Sequence, residues 1–207
     1  MNSFTHSRIS RMLSFVGILA VTSLLSATAL AGDLHGKVSV QGLRSAANIV
    51  VYVDIPGMNV PAPAQHAVMD QRQLKFVPHI LVVVKGTTVD FLNSDNVGHN
   101  VYWPSISGNK GLNHNMGTWP QGIKKSFTYT TPGVVPLLCN VHAEMSGYII
   151  VVPTPYYATT NASGEFVIHG VPAGAHTIKA WAEGGKPASQ QVNVGAGTTE
   201  VNLTVTR

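Results

Sequence analysis

The 207-residue sequence contains one cysteine, Cys139, so no disulfide can form within the chain. Charge is sparse, at 11% Asp, Glu, Lys and Arg, while 44% of residues are hydrophobic and spread throughout, which excludes a largely disordered chain. No basic run occurs, so nucleic acid is not expected as a partner. No Ser or Cys sits in a nucleophile context that would suggest a hydrolase. Beyond the N-terminus, no apolar stretch is long enough to span a bilayer. What remains is a chain of short β-like runs, with most of its 20 glycines and 12 prolines falling between them, the composition of an all-β protein.

The N-terminus has the parts of a secretory signal. Arg8 and Arg11 form a positive region, an apolar core runs from Met12 to Leu25, and Ala29-Leu30-Ala31 is a small-residue cleavage pattern followed by Gly32. Residues 1–31 are therefore expected to be removed, leaving a periplasmic or secreted protein with no membrane span. The formal charge of +4 includes Arg8 and Arg11; without them the charge is about +2. A lone cysteine in an exported protein is either inert and buried or a ligand.

Three regions follow. Leu34 to Asp54 reads as two strands, "GKVSV" and "NIVVYVD". Ile55 to Lys75 has no clear period and reads as a connection. From Phe76 to Val152, period-two alternation predicts the half-buried strands of a sandwich: Phe76, Ile80, Val82 and Val84; Val89 and Phe91; Phe127 and Tyr129; and Val135, Leu137 and Cys139. Between Tyr102 and Lys125 lies a long loop, a length usually associated with function or mobility. Tyr156 to Arg207 reads as about five short strands, punctuated by "NASG", "VPAG", "EGGKP" and "GAG". Two strands alone are marginal in water, so residues 34–54 are expected to join residues 156–207 in a sandwich, with 73–152 as an inserted domain; the alternative is two domains in tandem. Val38, Val40, Val51 and Val53 are the expected inward residues of the first region.

The chemistry concentrates in "CNVHAEM", Cys139-x-x-His142-x-x-Met145. A strand with Val135 and Leu137 on one face delivers Cys139 to that face, and a tight loop returns His142 and Met145 toward it. Upstream, "NSDNVGHNV" places His99 at a strand end. Two imidazoles, a thiolate and a thioether are the donor set of a His2Cys copper site with a weak axial Met. Soft sulfur donors favour Cu(I) and imidazole suits both oxidation states. Zinc is the natural competitor, but thioether is not a usual zinc donor. The absence of any His-x-His pair and of a second cysteine argues against multicopper oxidase and binuclear centres. His35, His66, His79, His114, His169 and His176 are read as surface or structural, although His114 and Met116 on the long loop could form an auxiliary copper site or cover the main one.

These segments, with "FVPHILVVVKG", "GTTVDFLNSDNVGHNV" and "TPGVVPLLCNVHAEMSGYIIV", resemble the plastocyanin/amicyanin branch of the cupredoxins. "TTNASGEFVIHGVPAGAHTIKAWAEGG" resembles the carboxypeptidase regulatory-like, transthyretin-like sandwich. The combination resembles bacterial methylamine-utilisation and plastocyanin-like proteins. The resemblance implies a cupredoxin Greek-key β-sandwich inserted in, or joined to, a second, smaller Ig/transthyretin-like β-sandwich. It also implies one type 1 copper ion, with His99, Cys139 and His142 equatorial and Met145 axial. Asn100 would tie the two ligand loops through its N–H to the Cys139 sulfur, and His142 would be the exposed ligand near which redox partner proteins dock. The expected function is single-copper electron transfer by a monomer that is not an enzyme; the alternative is copper binding or delivery without electron transfer. Two departures stand out: the loop from Trp103 to Lys125 is longer than in simple cupredoxins of this type, and His176 stands where the sandwich family usually has an inward Tyr.

Overall fold

The structure is a computed structural model that describes residue 1 and residues 30–207. The expected signal sequence therefore lies almost wholly outside the described residues. Among those described, no helix is long and apolar enough to cross a membrane. The strands in chain order are β1 (Ala31–Gln41), β2 (Val50–Asp54), β3 (Ala67–Gln71), β4 (Phe76–Val77), β5 (Ile80–Val84), β6 (Thr88–Asn93), β7 (His99–Trp103) and β8 (His114–Trp119). They continue with β9 (Lys125–Thr128), β10 (Gly133–Leu138), β11 (Ser146–Val152), β12 (Tyr157–Thr159), β13 (Glu165–Pro172), β14 (Gly174–Trp181), β15 (Ala188–Val194) and β16 (Gly197–Thr206).

The strands form four sheets, ordered β13-β1-β16, β12-β2-β14-β15, β4-β3-β6-β9 and β5-β11-β10-β7-β8. The first two enclose one core. Leu34, Val38, Val51 and Val53 pack there with Phe166, Ile168, Ile178, Val192 and Leu203, and Val40 packs against its edge. β1 is parallel to β16 and antiparallel to β13. At its centre a Cβ on Gly36 would run into the Val201 carbonyl and the Phe166 ring, so this crowded position requires glycine. The other two sheets enclose a second core of Met69, Phe76, Val89, Phe91, Trp103, Val135, Leu137 and Ile149, among others.

A third apolar cluster joins the two sandwiches face to face. Val50 and Trp181 from one meet Ile150 and Val152 from the other, flanked by Tyr52, Ile80, Val82, Val84 and Tyr148. The near-continuous apolar run of β11 thus has a physical reason. Ile149 and Val151 face the second core while Ile150 and Val152 face the junction, so both sides are covered and alternation is lost. β5 divides in the same way: Val83 enters the core, and Ile80, Val82 and Val84, read from their alternation as the inward set of a single sandwich, face the junction instead.

Two readings are corrected. The stretch Ile55–Lys75 is not wholly a connection, because Ala67–Gln71 forms β3, which pairs in parallel with β6 and buries Met69 and Gln71. An inward glutamine interrupts the apolar alternation and hides the strand from a period-two reading. The long loop after Tyr102 holds a short 3-10 turn at Lys110–Leu112 and then β8, an edge strand on β7.

Asp90 on β6 pins its neighbours from the outer face of its sheet. Its carboxylate accepts from Ser126 Oγ at 2.6 Å, Lys124 Nζ at 2.9 Å and His66 Nδ1 at 3.0 Å. The Ser126 and Lys124 hydrogen bonds, assisted by His66, outweigh partial burial and hold this carboxyl well below the ordinary range. A depressed folded-state pKa stabilises the fold above the unfolded value of about 3.9, and that contribution is lost as pH falls through the folded value. Asp90→Asn should therefore lower the melting temperature at pH 7, and the gap to wild type should shrink steadily in thermal melts below about pH 4.

Candidate metal centre

β10 places Val135 and Leu137 inward, both fully buried, and the same alternation carries Cys139 inward just past the strand end, at 5% exposure. Residues 139–145 then form the hairpin loop to β11, whose Ser146 pairs with Leu138. Within it, Met145 N donates to the His142 carbonyl at 3.0 Å, a turn that folds the loop back on itself. Met145 is buried in the same core cluster as Cys139. His99, the first residue of β7, is fully buried and lies opposite Trp119 of β8 in the ladder.

The donor atoms of His99, Cys139 and His142 lie within 4.8 Å of one another, the one group of three such donors among the described residues. His99 Nδ1 and His142 Nδ1 are 3.1 Å apart, and their rings meet edge to face at 65°. On its other side, His99 Nε2 is 2.9 Å from Asp95 Oδ2. An ionised carboxylate only accepts, so Nε2 carries the proton and Nδ1 presents a lone pair toward His142 and Cys139. Two ring nitrogens about 3 Å apart, beside a buried sulfur, have the spacing of donors that share one ion at bonds of about 2 Å. The donor chemistry fits copper.

Asn100 links the two loops. Its N–H reaches Cys139 Sγ at 3.5 Å, its Oδ1 accepts from Asn140 N at 3.4 Å, and its Nδ2 donates to Asn115 Oδ1 at 2.9 Å. An N–H directed at the sulfur would disperse the charge of a thiolate bound to a metal.

Asp95 is absent from the sequence reading of the site. Burial pushes its carboxyl up, but the N–H groups of Leu74 and Gln73 and the His99 ring together outweigh this and hold it below the ordinary range. Its position four residues before His99 was the available signal, and its other partners come from a distant turn.

Five other histidines have partners away from this centre. His66 pairs with Asp90, His79 with Glu183 at 2.8 Å, and His169 with Asp33 at 2.8 Å; His176 contacts the Pro172 carbonyl at 2.8 Å. His114 stacks on Trp103 and Phe127. Trp103, its ladder partner, is four residues along β7 from His99, or about 13 Å at strand rise. The loop thus supplies an edge strand and an aromatic stack, and His114 joins no group of three donors among the described residues.

Residues 64–152 match the copper binding proteins of the plastocyanin/azurin family. Residues 142–206 match the carboxypeptidase regulatory-like domain. The two matched stretches overlap at residues 142–152 and together run from residue 64 to residue 206. Among solved structures, it is similar to a reduced amicyanin mutant at 23% identity, covering 49% of this chain and 99% of that one with a TM-score of 0.39. An oxidised amicyanin mutant gives the same four values. A purple cupredoxin from Nitrosopumilus maritimus is similar at 22% identity, covering 42% of this chain and 99% of that one with a TM-score of 0.37. No curated protein matches the chain.

Proposed function

We propose that this protein is an exported electron carrier that binds one copper ion through His99, Cys139 and His142, with Met145 as the weak axial donor. The convergence of the two Nδ1 atoms and the Cys139 sulfur carries this reading. Copper held there would supply a one-electron Cu(II)/Cu(I) couple. The chain's part is to keep the donors in one arrangement for both oxidation states. His99 and Cys139 are buried at strand ends, and Asn100 and Asp95 fix them by hydrogen bonds. A delivery protein must exchange its ligands with a partner, and a buried, cross-linked donor set opposes that exchange, which favours the carrier over copper delivery.

The half-buried His142 is the ligand nearest solvent. Val97 and Val141 beside the ligand loops are exposed at 41% and 51%, a small apolar rim suited to a transient redox partner. We read the chain as a sandwich of residues 34–54 and 156–207 into which the copper domain is inserted, and that domain starts at β3 rather than at residue 73. Pairing of β1 with β13 and β16 supports this division, as does pairing of β2 with β12 and β14.

Voltammetry and a spectrum of the Cu(II)-loaded protein test the reading. A reversible couple with an intense thiolate band supports the carrier; colourless, tight Cu(I) binding with no reversible couple supports delivery. Met145→Leu should keep the band and raise the potential, because losing a fourth donor, even a soft one, costs Cu(II) more than Cu(I), which three donors satisfy. An unchanged potential in that variant would remove Met145 from the site.

A further inference from the structure

The junction between the two sandwiches opens at one edge into a cleft of about 300 Å³. One wall comes from the sheet β5-β11-β10-β7-β8, where Val134 of β10 and Ile150 of β11 carry the apolar surface of the junction into the cleft. The other wall comes from β2, β14 and β15. Register places Lys179 beside both Tyr52 and Ser189, so these three form one row across the strands. Val51, Val53, Ile178 and Ala180 enter the core of that sandwich, and alternation turns the row to the opposite face, toward the cleft. Trp181, 8% exposed, lines the same space and belongs to the junction cluster. Gly133 and Ser189 line it with little side chain, so the seam does not close there.

An apolar wall facing a few convergent polar groups, at the meeting of two domains, is the usual make-up of a small-molecule pocket, and this volume suits a single ring. The polar side is a row of donors. Burial raises the Tyr52 phenol above its ordinary range although Lys179 opposes this, and the hydrogen bond to Asp54 raises the Lys179 ammonium, so both stay protonated near neutral pH. Lys179 is the one charged residue lining the cleft, and Asp54 Oδ2 neutralises it from 2.7 Å. A charged ligand would lose hydration there without meeting a net opposite charge. Two ring partners, Tyr52 and Trp181, favour an aromatic ligand over an aliphatic one. We propose that this cleft binds a neutral, single-ring aromatic molecule bearing a carbonyl oxygen: the ring packs against Val134, Ile150 and Trp181, and the carbonyl accepts from the Tyr52 hydroxyl and Lys179 Nζ. None of these residues is a candidate copper ligand, so the site is independent of the copper reading.

Benzamide is the probe, titrated into the full chain and followed by nitrogen–proton NMR. For so small a molecule a dissociation constant of about 1 mM is expected. The Trp181 indole N–H and the Val134 and Ile150 amides should shift together and saturate. Acetamide, which has the carbonyl without the ring, should leave them in place at the same concentrations. Tyr52→Phe keeps the ring and removes one donor, and should weaken benzamide by about fivefold. Ser189→Trp fills the cleft from an exposed strand position and should abolish the shifts. If wild type shows no saturable shift at these three residues, or if Ser189→Trp folds and binds benzamide as well as wild type, the proposal is overturned. Should Ser189→Trp not fold, Tyr52→Phe decides: an unchanged affinity in that variant overturns the assignment of the carbonyl to this row.

Discussion

Cys139→Ser is expected to abolish the thiolate charge-transfer band and most Cu(II) affinity while leaving the fold intact. Cys139 lies at 5% exposure past the end of β10, and serine is smaller and close in shape, so packing changes little. The chemistry changes completely, because the hydroxyl remains protonated near neutral pH and offers neither the soft anionic donor nor the covalency behind the colour. The Asn100 N–H now directed at sulfur would meet a weaker acceptor, a modest loss of about 1 kcal/mol. Absorption and electron paramagnetic resonance of the Cu(II)-loaded variant, with circular dichroism as the control on folding, check the expectation. A variant that keeps the intense band would remove Cys139 from the centre.

A fragment of residues 156–207 is expected not to unfold cooperatively. It lacks β1, the strand between β13 and β16, and β2, the strand between β12 and β14. Each loss leaves strands with unpaired backbone groups. The fragment also lacks Leu34, Val38, Ile49, Val51 and Val53, five buried members of that core. At about 1.5–3 kcal/mol for each large side chain buried, the loss is roughly 10 kcal/mol, comparable with the whole stability of a typical domain. Denaturant titration and amide dispersion measure it; a single sharp transition with dispersed signals would show that the last five strands are self-sufficient. Residues 64–152 keep β3 and all four candidate ligands and should bind copper. That fragment would expose Ile80, Val82, Ile150 and Val152, now covered by the other sandwich, and should self-associate.

The ligand loop was legible because it is local. Cys139, His142 and Met145 sit within seven residues after a strand whose alternation sets the direction of the first, so spacing carries the geometry. His99 is harder, 40 residues upstream, and is marked only by its place at a strand end. Asp95 was marked only by its place four residues before His99. Its partners Gln73 and Leu74 are 22 and 21 residues away, and they meet it only because β3 pairs in parallel with β6 and brings the β3–β4 turn beside the β6–β7 loop. β3 itself was hidden by the inward Gln71, and β8 by its Gly, Asn and His content in a stretch that reads as loop.

The sequence by itself determined the all-β class, the strand faces and the donor set, because period-two burial and a seven-residue loop are properties of neighbouring residues. Tertiary structure decided the rest. It chose between β13 and β16 and the middle strands as partners for β1, since a strand's edge carries hydrogen-bonding groups but no address. It assigned one face of β11 and β5 to a junction between sandwiches, since an apolar run does not say which surface covers it. And it supplied His99 with a carboxylate anchored to a distant turn, since long-range pairing alone sets which loops meet at the end of a sheet.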